Sequence, residues 1–492
     1  MKTAIVKKKS PSKKKSLKKN AVLNMTKTFM SLVFPLITFP YSSRVLGPVY
    51  IGKVHFAQSI VSYFSLFAAL GISSYAVREI AKCRDNKTAL SVFVKEIFSI
   101  NIITTLISYC LFIIALLIVP QFAEYKKLLC IISGTILFTT IGMDWLYTGL
   151  EEFKYITVRS ITFQFISLVL LFVLVRTQDD YLKYAGINVI SSVGSNILNF
   201  IHSRKFIDLR IKAKLFLRQH LKPILTLFAM SAAISIYTVL DTTMLGLLKG
   251  DEAVGLYTAA TKVNRMVIMM ITAATAILLP RLSFHAKAAN KSEFLRLADK
   301  SLRFILIFSI PCAAGLFILS EPIVLLFSGA KYTGAVSAMK IMNAVVVLIS
   351  VSGLIGAQIL MALGKERITL LSVGVGSVVN LTLNLILIPR FGVNGVAVAT
   401  ICAETVVTAV QIVFAREFFE WRTISIHLLQ VLLSSVVMST VVYFVSVLLG
   451  LLWLKVILGI LIGTVVYSVF LLLLKNQFTI DFIIQIKGSL KR

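Results

Sequence analysis

The chain has 492 residues, 58% of them hydrophobic, with a mean hydropathy of +0.89 and a formal net charge of +30. Apolar runs of about 20 residues recur from residue 22 almost to the C-terminus, which points to a polytopic membrane protein. A β-barrel would alternate in segments of ~10 residues, whereas these runs are unbroken, so the expected fold class is all-α.

Residues 1–21 hold "KKKSPSKKKSLKK" and read as a disordered polybasic tail. Lysines without interleaved aromatics beside a first span hold orientation and touch anionic membrane lipids; nucleic acid is not expected as a partner. No small-residue cleavage site follows a short apolar core, so the first span is expected to remain as a membrane helix.

Six spans are placed near 22–43, 54–76, 97–119, 128–150, 160–176 and 181–202, an N-lobe over 22–202. A basic linker, 203–222, leads to six more near 223–247, 257–279, 304–327, 337–363, 368–388 and 393–414, a C-lobe over 223–414. A pair near 427–449 and 453–474 precedes a cytoplasmic tail, 475–492. Fourteen spans put both termini on one side. Most of the 51 Lys and Arg residues gather in the tails and loops of that side, including "SRKFIDLRIKAKLFLRQHLK" and "RLSFHAKAANKSEFLRLADKSLR", so both termini are expected in the cytoplasm.

The halves echo each other. "IGKVHFA" (51–57) matches "VGLYTAA" (254–260), pairing Gly52 with Gly255, each a few residues after a Leu-Gly pair (Leu46-Gly47 and Leu245-Gly246). Both copies then reach an arginine, Arg78 and Arg281. "YITVRS" (155–160) is likewise echoed by "RITLLS" (367–372). Paired helical bundles with a site between them are a recurrent transporter design, because rocking one against the other opens the site to either side.

Several spans carry polar stripes. Asn188, Ser192, Ser195 and Asn199 share helical spacing on span 6, as do Ser231, Ser235, Thr238 and Thr242 on span 7. Thr258, Thr261, Lys262 and Arg265 lie along span 8, His55, Ser59 and Ser62 along span 2, and Gly376, Asn380 and Asn384 along span 11. Close helix packing through small polar residues accounts for any one stripe. A charge within a span costs ~2.5–3.5 kcal/mol and faces a bundle interior or water. Asp241 and Lys262 lie at similar depth on either side of the loop between spans 7 and 8, so an ion pair between them is feasible. One aspartate cannot neutralise two cations, however, and Arg44 ends span 1 in the matching hairpin. The surplus positive charge suits an anion such as a phosphate.

Cysteines and histidines show neither a disulfide framework nor metal-ligand spacing, and no catalytic constellation is evident, so no metal, no cofactor and no enzymatic activity is expected.

The ordered fragments "PYSSRVLGPVYIGKV", "YAVREIAKCRDN", "GMDWLYTGLEEFKYITVRS", "IYTVLDTTMLG", "DEAVGLYTAATKV", "LLPRLS" and "NLTLNLILIPRFGVNGVAVATICAE" resemble the Wzx-type oligosaccharide flippases. These form the polysaccharide-transport branch of the multidrug/oligosaccharidyl-lipid/polysaccharide exporters. The resemblance runs over residues ~22 to 475. It implies two six-helix lobes, a central cavity and a peripheral last pair, in the bacterial cytoplasmic membrane. It also implies the task of moving an undecaprenyl-diphosphate-linked oligosaccharide from the cytoplasmic to the outer leaflet, for capsule, O-antigen or exopolysaccharide assembly alongside polysaccharide polymerase machinery. The family's cavity cations, on helices 1, 2 and 8, fall by position on Arg44, Arg78, Lys262 and Arg265; Arg78 also reads as a positive-inside anchor.

Asp241 and Glu404 are the carboxylates expected to couple transport to a proton or Na⁺ gradient. Three rivals share some of these features. A drug exporter of the same superfamily would favour an acidic cavity. A polymerase or glycosyltransferase would need a long outer loop. A lipid II flippase is compatible with the same charges.

Overall fold

The computed structural model describes residues 17–276, 279–287 and 291–480. Most of the basic N-terminal tail and the end of the C-terminal tail therefore lie outside the described residues. The first helix, α1 (Leu17–Ala69), is bent at Gly47, whose φ of 74° is open to glycine and costly for other residues. Unbent, its 53 residues would extend ~80 Å, far more than a ~30 Å hydrocarbon layer. It therefore supplies two crossings. The rest of the N-lobe comprises α2 (Ile72–Cys83), α3 (Lys87–Ile118), α4 (Phe122–Gly142), α5 (Asp144–Gly149), α6 (Phe153–Leu174), α7 (Tyr181–Val189) and α8 (Asn196–Ser203).

The C-lobe contains α9 (Arg218–Lys249), α10 (Asp251–Ala276), α11 (Leu279–Lys287), α12 (Lys291–Ile318), α13 (Ser320–Phe327), α14 (Ala335–Leu354) and α15 (Glu366–Ala415), followed by the pair α16 (Trp421–Leu448) and α17 (Leu452–Leu473). The 50-residue α15 folds back at Gly392 (φ 53°). A Cβ on Gly376 would lie 2.3 Å from Val407, and one on Gly395 would lie 2.4 Å from the Leu387 carbonyl oxygen, as expected of two arms packed antiparallel.

Two crossings each in α1 and α15, and one each in α3, α4, α6, α7–α8, α9, α10, α12, α14, α16 and α17, give the expected fourteen. Nine helical stretches among the described residues are long and apolar enough to cross a membrane by length and composition alone. The chain is an all-α polytopic membrane protein. The large exposed apolar side chains of α3, α6, α16 and α17, such as Leu106, Leu117, Phe165, Val447 and Leu473, suit a hydrocarbon solvent.

Local devices set the register. Asp180 accepts hydrogen bonds from the Arg176 and Thr177 backbone N–H groups, 2.9 Å each, just before α7. Lys183 and these donors hold its carboxyl well below the usual carboxylate range. A π turn over Ile190–Gly194 then interrupts span 6. The extra residue rotates the polar stripe out of line. Ser192 is exposed and returns to the Asn188 carbonyl, while Asn199 is fully buried and bonds the Gly142 carbonyl and Asp144.

In the N-lobe α1 packs against α3, α4 and α6; in the C-lobe α10 and α12 pack against α14, and α9 against α15. The pair α16–α17 docks on α12 and α13. The lobes meet where α1 crosses α10 and α9. The linker is pinned to the N-lobe. Glu96 on α3 accepts the Phe216 backbone N–H at 2.7 Å and lies 2.9 Å from His220, whose other ring nitrogen is 2.8 Å from the Tyr75 hydroxyl.

Candidate functional site

Where α1 crosses α10, the backbones are in direct contact. A Cβ on Gly52 would fall 1.7 Å from the Asp251 carbonyl oxygen, and one on Gly255 would fall 1.9 Å from that of Pro48. Gly246 does not repeat the bend made at Gly47: α9 runs on to Lys249 and the turn comes at Gly250 (φ 83°), within the gap expected between spans 7 and 8. Gly246 stays helical and receives the ring of Phe56, which leaves no room for a side chain.

Further contacts join the lobes near this crossing, at the end that the charge asymmetry assigns to the outside. The Tyr125 hydroxyl on α4 donates to Asp251 Oδ1 on α10 at 2.7 Å. Phe39 stacks on Phe327 with ring centroids 5.5 Å apart. Arg44 donates to the Pro40 carbonyl at 3.0 Å and to the carbonyl of Leu326 in the last turn of α13. Arg44 therefore satisfies a helix C-terminus across the lobe junction.

Lys262 and Arg265 lie inward of the crossing. Lys262 is two turns beyond Gly255 on α10, half-buried, with its ammonium 5.4 Å from the centre of the Phe39 ring. Arg265 is almost one turn further and exposed. Neither has an acidic partner among the described residues. The feasible ion pair between Asp241 and Lys262 is not formed. Asp241 instead accepts hydrogen bonds from Asn380 (3.0 Å), Asn384 (2.8 Å), Tyr257 (2.8 Å) and Thr400 (2.8 Å), and is 6% exposed. The Thr400 hydroxyl is also 2.8 Å from the Val396 carbonyl, so its single proton serves one acceptor at a time.

The reason is helical phase: Asn380 and Asn384, four residues apart, share a face of the first arm of α15 that meets α9. The span 11 stripe signalled that face, but its destination was not readable from α9 alone. Glu404, on the second arm of α15, accepts from the Tyr237 hydroxyl at 2.9 Å and is also buried.

Arg78 lies elsewhere. It is exposed on α2, 3.3 Å from Glu79, which also binds Lys82. The structure thus brings Lys262 and Arg265 together, places Arg44 at the lobe junction and leaves Arg78 on a helix surface. The side chain of Arg281, its counterpart in the repeat, lies outside the described residues, as does that of Ser231. His55, which the sequence marks only as part of a polar stripe, sits three residues beyond Gly52, where both α10 cations act on it electrostatically.

An apolar groove of about 480 Å³ between α12 and α16, lined by Ile310, Ala314, Leu432, Val436 and Tyr443 among others, lies away from these charges. Among the described residues, no cluster of three His, Cys, Asp or Glu side chains could hold a metal ion.

Comparison with known proteins gives the same architecture. The family described as "Polysaccharide biosynthesis protein" matches residues 17–284, and the MatE family matches residues 227–386. The chain is 25% identical over 407 residues to a protein of Escherichia coli (strain K12) named "Putative O-antigen transporter", covering 82% of this chain and 97% of that one. Among solved structures, one titled "Lipid II flippase MurJ, inward closed conformation" aligns with a TM-score of 0.72 at 20% identity over 94% of this chain and 99% of that one. An inward-facing multidrug resistance MATE family transporter aligns with a TM-score of 0.60 at 16% identity, over 81% and 97% of the two chains. At these identities the structural likeness concerns the fold.

Proposed function

The chain belongs to the polysaccharide biosynthesis protein family, and from that premise we propose that it is a flippase for undecaprenyl-diphosphate-linked oligosaccharides. It would carry them from the cytoplasmic to the outer leaflet of a bacterial inner membrane by alternating access between its lobes. The observation that supports this reading best is the pair Lys262 and Arg265, which has no acidic partner among the described residues, beside a lobe junction sealed on its outer side.

The physical reason for such a site is desolvation. A diphosphate or sugar hydroxyl drawn through hydrocarbon without partners costs several kcal/mol per group. Arg265 offers forked donors and Lys262 a mobile point charge to the anion, while the lipid tail stays in apolar surroundings. No covalent bond changes in this task, so the reading is of a transporter that needs no cofactor. Arg44 joins the gate that closes behind the substrate, and Arg78 serves as a surface anchor beside anionic lipid.

The proposed driving force is a proton or Na⁺ gradient acting at Asp241. Asp241 is chosen because it is a buried carboxylate in contact with neutral donors and with no cationic partner among the described residues, on the helix that meets α1 at the lobe junction. Glu404 is the second candidate.

Transport of a labelled undecaprenyl-diphosphate oligosaccharide in proteoliposomes tests the reading. Arg265→Ala should lower flipping about tenfold or more, equivalent to ~1.4 kcal/mol, with the protein still inserted and folded. Arg265→Lys should recover part by restoring charge without the fork. Full transport by the Arg265→Ala and Lys262→Ala variants would remove the basis for the proposal. Parallel assays with lipid II and with a cationic drug separate this substrate from those of the neighbouring branches.

A further inference from the structure

We propose that His55 is the N-lobe ligand of the anion and that it recognises the second phosphoryl group of a diphosphate, so that the bound anion bridges the two lobes. This rests on the reading of Lys262 and Arg265 as an anion site.

Gly52 and Gly255 fix the geometry, because the arm of α1 that follows Gly47 and α10 both run inward from that crossing. On the N-lobe side, the residues that follow are His55, Ser59 and Ser62; on the C-lobe side they are Thr258, Lys262 and Arg265. The matched positions are chemically unequal. Ser59 is consumed by Thr243 of α9 at 3.0 Å, and Ser62 returns to the Ser59 carbonyl at 2.7 Å. His55 is the one of the three N-lobe side chains with a free ligand atom.

Its Nε2 is buried and has no hydrogen-bond partner among the described residues. Gln58 also acts on the ring, and the tautomer with a proton on Nε2 is the one an incoming anion would select. A buried imidazole nitrogen without a partner loses its hydration with no compensating bond. Here it does so beside two cations that also act on it. An anion supplies what all three groups lack: an acceptor for Nε2–H and a countercharge for Lys262 and Arg265. These two cations are spaced nearly one turn apart on α10 and His55 lies across from them. That spread suits the oxygens of a diphosphate, shared between lobes, better than a single phosphate held by α10 alone.

The test is discrimination between two probes, undecaprenyl diphosphate and undecaprenyl monophosphate, measured as binding to the full-length purified protein. Wild type should favour the diphosphate. His55→Ala should weaken diphosphate binding about tenfold, with monophosphate binding little changed, and His55→Gln, which keeps an N–H donor, should restore part of the preference. Equal weakening of both probes, or no rescue by His55→Gln, would assign His55 a packing role and overturn the inference. Unchanged discrimination in His55→Ala while Arg265→Ala loses both probes would overturn it too, but would leave the anion site standing. Normal binding of both probes by Arg265→Ala would instead remove the anion site, and the role of His55 with it.

Discussion

Gly52 and Gly255, matched to each other by the internal repeat, lie against each other's helix with no space for a methyl group on either. Equivalent residues that meet mark the axis relating two similar units, as at the centre of an isologous interface. The closeness is a backbone property. Once α1 and α10 approach at a glycine pair, carbonyl oxygens stand where a Cβ would be, so even alanine must push the lobes apart.

Gly52→Ala or Gly255→Ala is therefore expected to open the outer seal while each lobe stays folded. Thiol labelling from outside at Thr258→Cys, half-buried on α10 one turn inward of the crossing, in a background lacking the five native cysteines, should rise, and flipping should fall severalfold. Unchanged labelling would show that the contact does not seal that side.

The carboxylate of Asp241 should behave differently in two substitutions. Asp241→Ala leaves the donors of Tyr257, Asn380 and Asn384 buried without an acceptor, at ~1–3 kcal/mol each, and should reduce the amount of folded protein in the membrane. Asp241→Asn keeps the volume, and should fold yet alter the dependence of transport on proton and Na⁺ gradients. If flipping by Asp241→Asn responds to both gradients as wild type does, Asp241 is structural.

Because Asp241 is held by neutral donors and not by Arg265, removing both should bring no relief. Flipping by the double variant Asp241→Asn/Arg265→Ala should be no better than by Arg265→Ala, normalised to membrane abundance. Restored transport would reveal a coupling between the two that their separate partner sets argue against.

Two hydrogen bonds tie the outer ends of the lobes together, Tyr125 to Asp251 and Arg44 to the Leu326 carbonyl. Tyr125→Phe removes the first without changing ring packing and should cost ~1 kcal/mol of the sealed form. Distances between spin labels on α4 and α10 should then show a larger outward-open population, with Arg44→Ala acting in the same direction. A population identical to wild type in both would place the seal in the glycine crossing alone.

Orientation is open to a direct check. Reporters fused after Lys214 and Lys291 should read cytoplasmic, and those after Lys249 and Lys331 external. An external reading at Lys214 would break the two-lobe order, because the linker that pins Phe216 and His220 to Glu96 joins those lobes.

The sequence by itself determined the class and the plan. Unbroken apolar runs dictate membrane helices, since each must satisfy its own backbone in lipid, and the spacing of Gly52 and Gly255 announced paired hairpins. It also showed that Asp241, Lys262 and Arg265 must face protein or water, because lipid penalises them. What it left open was which of them meet. Depth along a helix follows from 1.5 Å per residue, but the side to which a charge points depends on how neighbouring helices are rotated and crossed, and no local pattern encodes that. Only the tertiary structure turned Asp241 toward Asn380, Asn384 and Thr400 on α15, turned Lys262 toward Phe39, and carried Arg44 to the end of α13. A single π turn in span 6 was enough to split a stripe that even spacing had joined, because side-chain direction accumulates residue by residue while position along the axis hardly changes.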